Sequence, residues 1–185
     1  MSDAERLKQI ETDAWNLLGR AVVYKRSPMR WFTLATVSPK GQPEARTVVL
    51  REVSRESYRI TLFTDRRAAK VAALRANPGA ECHFFDSRKM LQFRLSGVAT
   101  ILTKGTRWQT LFDKVPEYAL GDYSALIAPG TAGGMESDMA LAAQYFTVVD
   151  ISIHTMDWLS LSREGHQRAH FDWRKETTKA DFVVP

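Results

Sequence analysis

Apolar residues recur at helical spacing from Leu7 through Ile10, Ala14, Leu17, Leu18 and Ala21, which predicts an amphipathic helix over about residues 3–22. Ser2 and Glu5 stand three apart at its start, the spacing of a capping box whose two side chains satisfy orphan amides. The period then changes. Trp31 to Val37 (WFTLATV) is rich in β-branched and aromatic residues and runs into the turn sequence Ser38-Pro39-Lys40-Gly41, so Ala45 to Glu52 (ARTVVLRE) reads as the returning strand of a hairpin. Tyr58 to Thr64 (YRITLFT) alternates Tyr58, Ile60 and Leu62 against Arg59, Thr61 and Phe63, as a two-faced strand does.

Arg66 to Ala76 is alanine-rich and stops at Asn77-Pro78-Gly79, which predicts a short helix. Glu81–Phe85 and Leu91–Leu102 flank Asp86-Ser87-Arg88 as a second hairpin, and Lys104 to Val115 is helical with Trp108, Leu111, Phe112 and Val115 on one face. Pro116 to Asp138 has no periodicity and carries Pro129-Gly130-Thr131-Ala132-Gly133-Gly134; irregular segments this long are usually functional or mobile. Tyr145–Ile153, Trp158–Ser162 and Arg168–Trp173 close the chain as strands. Short strands punctuated by turns, with few helices, predict a mainly β, α+β fold over a single domain, residues 1–185. An antiparallel barrel with flanking helices suits it better than a βαβ sheet.

Composition narrows the function. Hydrophobic residues at 44% and charged residues at 25% belong to a globular domain rather than a disordered chain. The net charge of +5 suits an anionic small molecule or a nucleic acid, but the arginines are dispersed rather than blocked, which disfavours nucleic acid. The lone Cys82 excludes an internal disulfide, fits a reducing compartment and reads as a core residue. A polar start without an apolar signal, and no run long enough to span a bilayer, make the cytoplasm the expected address, with no membrane partner.

Several chemistries are absent. No Gly-x-Gly-x-x-Gly follows a strand, no Lys-Ser/Thr follows Gly130–Gly134, and no Gly-x-Ser-x-Gly elbow occurs. His166 and His170 are four apart, but Arg163, Glu164, Gly165 and Arg168 around them favour a turn and a strand over a metal-binding helix.

The order of five motifs carries a resemblance. Arg46-Thr47-Val48-Val49-Leu50-Arg51 is an arginine opening an apolar run that closes on a cation; Phe63-Thr64-Asp65 follows; then Lys70 in a helix ending in Asn77-Pro78; then Gln92-Phe93-Arg94-Leu95-Ser96-Gly97; then Trp158 and Arg168-Ala169-His170. Each is weak alone. In this order, over roughly residues 30–173, they resemble the pyridoxamine 5′-phosphate oxidase family of FMN-binding split β-barrels.

The resemblance implies a homodimer with FMN at the subunit interface, bound by Arg46, Thr47, Val48, Val49, Leu50, Arg51, Phe63, Thr64, Lys70, Gln92 and Trp158. It also implies Arg168 and His170 as substrate-side residues acting on a small, anionic or polarised molecule. A guanidinium fork and an ammonium suit a phosphate dianion, and a glutamine that both donates and accepts suits the ring edge. Arg46 and Arg51 are five apart, so strict alternation puts them on opposite faces unless the strand is interrupted.

Departures accompany the match. Ala68-Ala69-Lys70 stands where oxidases carry Ser-Arg-Lys, so Arg66 and Arg67 are expected to supply the missing charge. Leu111 to Pro116 lacks the tyrosine and arginine that hold substrate phosphate in the oxidase, four extra residues separate Trp158 from Arg168, and Asp172 replaces a second arginine. Oxidation of pyridoxamine 5′-phosphate is therefore not expected. The expectation is an FMN-dependent oxidoreductase on another small substrate, with a non-catalytic flavin carrier or sensor as the alternative.

Overall fold

In the computed structural model, which describes residues 1–162, 165–174 and 178–185, helix α1 spans Asp3–Val23. It opens with the expected box: the Glu5 amide donates to Ser2 Oγ at 3.3 Å and the Ser2 amide to Glu5 Oε2 at 2.7 Å. Leu7, Ala14, Trp15, Leu18 and Ala21 form its buried stripe. Arg30 donates to the Val22 carbonyl at 2.8 Å, satisfying the helix end.

The strands are β1 (Trp31–Val37), β2 (Pro43–Val49), β3 (Glu52–Ser54), β4 (Arg59–Asp65), β5 (Gly79–Asp86), β6 (Leu91–Leu102), β7 (Phe146–Ser160), β8 (Gln167–Asp172) and β9 (Lys179–Val183). They form one antiparallel sheet in the order β2-β1-β5-β6-β7-β4-β3, with β8 on β7 and β9 beyond it. The ends of that order, β2 and β3, are consecutive in sequence, so the sheet curls back on itself without a closing ladder, as a split barrel. Strand β7 makes the split: Phe146–Ser152 pairs with β4 and Thr155–Ser160 with β8, while β6 follows both halves. The β6–β7 register shifts between Ser96 and Gly97. Gly97 lies so close to β7 that a Cβ there would sit 2.3 Å from the Ser152 carbonyl oxygen, a close approach only glycine allows.

Helix α2 (Ala69–Ala76) lies between β4 and β5, and α3 (Thr106–Phe112) follows β6. The main core joins α1 to the inner sheet face, with Cys82 buried in it. Trp108, Leu111, Tyr123, Phe146 and Val148 form a second cluster under α3.

Several elements differ from expectation. The strand over Ala45–Glu52 is broken: the Leu50 amide still donates to Arg30, but the Arg51 amide donates to Thr61, so the chain changes partner from β1 to β4. The helix expected from Arg66 starts at Ala69, because Asp65 Oδ1 accepts from the Arg67 amide at 2.7 Å and holds a turn. Tyr58 has φ +44° and precedes β4, whose Ile60, Thr61 and Leu62 are all buried because α3 covers the second face; there Arg107 reaches Thr61 Oγ1 at 3.2 Å and Asp150 Oδ2 at 2.6 Å. The two strands expected at Tyr145–Ile153 and Trp158–Ser162 are one. Strand β9 lies beyond the segments whose pattern predicts a strand; Ala180 and Phe182 pack on the main core. Pro116–Asp138 contains α4 (Glu117–Leu120) and a bridge between Ala125 and Ser137. The turn expected at Arg163 and Glu164 lies outside the described residues.

Candidate functional site

Where β2 leaves β1, the end of β4 and the start of α2 come together around a cleft of about 280 Å³. Thr47, Val48, Val49 and Arg51 form one wall, and Phe63, Thr64 and Lys70 the other. Seven of the residues expected at a cofactor are thus brought together. Trp31, Asp65, Ala68, Asp122, Tyr123 and Pro129 complete the lining.

The anion-binding end is built from α2. Its first turn begins at Ala69 without a side-chain cap; the Val71 amide donates to the Ala68 carbonyl at 2.8 Å, and the Ala69 and Lys70 amides are the ones left to favour an anion. Lys70 Nζ donates to Thr64 Oγ1 at 3.0 Å. Burial, then the nearby Arg46 guanidinium, hold the Lys70 ammonium below its ordinary value, with Asp65 opposing. Arg46 sits behind it, donating to Thr36 Oγ1 at 2.6 Å and to Glu44 Oε2 at 2.8 Å. A phosphate would relieve the repulsion between these two cations.

The interruption at Leu50 resolves the geometry of the two arginines. Leu50 is buried beneath the site, while Arg51 turns into the cleft with its guanidinium 5.6 Å from the Phe63 ring centroid. Its Nε is buried without a hydrogen-bond partner; burial pushes the neighbouring Tyr123 phenol up, and the Arg51 charge opposes that shift.

Arg66 and Arg67 lie elsewhere, and their expected phosphate role is corrected accordingly. Arg66 donates to the Gln144 carbonyl at 3.1 Å. Arg67 pairs with Asp65 at 2.7 Å, donates to the Ala125 and Leu126 carbonyls at 2.7 and 3.2 Å, and lies 3.5 Å over the Tyr145 ring. Its donors are spent holding the loop that carries Pro129.

The remaining candidates occupy the outer sheet face. Gln92 on β6 meets His83 Nε2 at 3.0 Å. Asp157 on β7 accepts from Arg94 Nη2 at 2.8 Å and from Arg168 Nη2 at 2.6 Å, and His170 stands opposite it on β8. Burial pushes the Asp157 carboxyl up, but these two arginines outweigh it and hold it below the carboxylate range. Trp158 points the other way: its ladder neighbours Phe93 and Ala169 are buried, and it packs against the core beneath α1. Leu159, not Trp158, stands beside Gln92.

Sequence reading missed Trp31, Tyr123 and Asp157. Asp157 adjoins a motif residue and alternates onto the face of Arg168, a usable signal; Tyr123, in an aperiodic loop, had none. Among the described residues no group of His, Cys, Asp and Glu is placed to hold a metal, and no helix is long and apolar enough to cross a membrane.

Comparison with known proteins agrees with this geometry. Residues 12–103 match the family described as pyridoxamine 5′-phosphate oxidase, FMN-binding domain. A pyridoxine/pyridoxamine 5′-phosphate oxidase of Microcystis aeruginosa is 32% identical over 108 residues, 58% of this chain and 50% of that protein. One from Arabidopsis thaliana is 35% identical over 77 residues, 42% of this chain and 39% of that protein. The chain thus spans about half the length, or less, of these relatives. A pyridoxamine 5′-phosphate oxidase-related, FMN-binding protein from Nostoc punctiforme superposes with TM-score 0.75 at 22% identity, covering 92% of this chain and 96% of that one. PhzG from Burkholderia lata, solved with tetrahydrophenazine-1-carboxylic acid, gives 0.74 at 16% identity, covering 94% and 91%. The motif order, the split-barrel topology and these matches together place the chain in the pyridoxamine 5′-phosphate oxidase-like family.

Proposed function

We propose that this protein binds FMN in the β2–β4–α2 cleft and serves as an oxidoreductase on a small organic substrate, working as a homodimer. The observation that carries the reading is the donor set. Lys70 stands at an uncapped helix start with the Arg46 charge nearby, and the buried Arg51 Nε lacks a partner beside the apolar Val49 and Phe63. That set fits a molecule with a phosphate at one end and a flat apolar ring at the other.

Bound FMN supplies the two-electron chemistry. The chain's own residues bind and orient: Lys70, Thr64 and the first amides of α2 hold the phosphate, while Val49 and Phe63 exclude water from the ring. On the outer face Asp157 aims Arg168, which with His170 offers donors to an anionic or polarised substrate group.

What supports the homodimer is where these groups lie. Gln92 on β6 and Arg168 on β8 stand outside the lining of the β2–β4–α2 cleft. The same open face exposes Trp31 by 54% and Phe85 by 40%, apolar area that a second copy would cover.

The test is titration of the apo-protein with FMN, FAD and riboflavin, followed by flavin fluorescence, and then assay of flavin reduction by NADH and NADPH. FMN should bind at least about tenfold more tightly than riboflavin, the worth of one charge-assisted hydrogen bond. Equal affinities would remove the phosphate seat.

A further inference from the structure

Gly19 lies inside α1, about one turn before the helix ends at Val23, where glycine lowers helix stability relative to alanine. No atom of a neighbouring element lies within 4 Å of the Cβ it lacks, so packing does not require it. What lies over it is a groove of about 460 Å³ between α1 and β3, lined by Trp15, Asn16, Gly19 and Arg20 on one side and Val53 and Arg55 on the other. The groove shares no residue with the β2–β4–α2 cleft.

Its polar groups are donors in search of an acceptor. Among the described residues the Arg20 guanidinium has no hydrogen-bond or ion-pair partner, and neither has the Asn16 amide side chain. Arg55 commits only Nη2, to Thr12 Oγ1 at 3.1 Å, and the Tyr58 amide donates to its carbonyl at 3.2 Å, closing the turn that places it. Trp15 is buried, and its Nε1 lacks a hydrogen-bond partner. No carboxylate lines the groove among the described residues. The negative end of α1 does not oppose an anion here, because Arg30 already donates to the Ala21 and Val22 carbonyls at 3.5 and 2.8 Å.

We infer that this groove is a second ligand site, taking a phosphate monoester with a flat organic body. Two guanidinium forks bring two charges and match a dianion with three acceptor oxygens. A carboxylate, with one charge and two oxygens, would leave one arginine unmatched. The body follows from Gly19 and from the volume. Bare helix backbone lets a planar group lie close beside Val53, and the groove falls within the roughly 300–1,000 Å³ of small-molecule sites, more than a phosphate alone fills. The glycine then has its reason in the ligand rather than in the fold.

The inference goes beyond the flavin reading and does not rest on it. The full chain saturated with FMN, and separately Lys70→Met without FMN, are titrated calorimetrically with phenyl phosphate, inorganic phosphate and benzoate. Phenyl phosphate should bind both saturably, with benzoate at least about tenfold weaker and inorganic phosphate severalfold weaker. Arg20→Gln and Arg55→Gln should each weaken phenyl phosphate about tenfold and leave FMN affinity unchanged. Gly19→Leu should raise the thermal midpoint, leucine being the better helix former, and abolish phenyl phosphate binding; a damaged fold cannot give both signs. If FMN itself does not bind, the Lys70→Met titration still decides the groove, so the two readings fail separately. Binding that disappears with FMN saturation or in Lys70→Met would put the anion in the flavin cleft and overturn the inference. So would the absence of saturable binding, or binding untouched by Gly19→Leu or by both arginine variants.

Discussion

The Lys70 ammonium donates to the Thr64 hydroxyl at 3.0 Å, tying the first turn of α2 to the last residues of β4 at the mouth of the cleft. The bond places a cation where burial and Arg46 both disfavour its charge.

That strain sets a pH dependence. A lysine whose pKa is lowered in the folded apo-protein penalises folding below that pKa. The unfolded chain, titrating near 10.5, binds more protons in the window between the two values, so apo stability should rise with pH there. FMN binding runs the other way. Affinity should be flat from the second phosphate ionisation near about pH 6 upward, then fall as Lys70 loses its proton, while riboflavin affinity stays level. Lys70→Met should lower FMN affinity at least about tenfold and abolish the alkaline fall. An FMN profile parallel to that of riboflavin would exclude Lys70 from the phosphate seat.

Arg67 is a structural anchor. Arg67→Ala leaves the Asp65 carboxylate, 3% exposed, without its cation and frees the Ala125 and Leu126 carbonyls. Chemical denaturation should show a loss on the order of 2 kcal/mol, at the low side of buried-pair breakage because Arg67 itself is partly exposed. The preference for FMN over riboflavin should persist; if it vanishes, Arg67 contacts the phosphate after all.

Gly97→Ala should be among the most damaging single-methyl changes in the chain. The new Cβ meets backbone, the Ser152 carbonyl oxygen at 2.3 Å, which cannot rotate away as a side chain would. Overpacking of this kind costs about 3 kcal/mol. A thermal midpoint within a degree of the parent would show that β6 and β7 separate easily at their register shift.

Light scattering after size exclusion should give a dimer. Trp31→Glu, on the open face and lining the cleft, should yield monomer and weaken FMN binding. A monomer that holds FMN as tightly as the parent would dismiss the shared site.

Elements set by neighbouring residues were legible in the chain. The capping box at Ser2 and Glu5, the stripe of α1 and strand β6 at Leu91–Leu102 all follow from local periodicity and turn chemistry, and appear where expected. The motif order likewise identified the family, and Thr47, Val48, Val49 and Arg51 with Phe63, Thr64 and Lys70 do share one cleft.

Long-range pairing decided the rest. The chain itself determined which short segments are helix or strand, because hydrophobic period and backbone preference act over a few residues. Only the tertiary structure decided that Arg51 turns inward, since the change of partner from Arg30 to Thr61 depends on β4 lying beside it. It alone put Trp158 under α1 and Leu159 beside Gln92, because a strand's facing depends on its register with both neighbours. It also committed Arg67 to Asp65 and to carbonyls some sixty residues away, because a guanidinium goes to whichever acceptors the fold brings within reach.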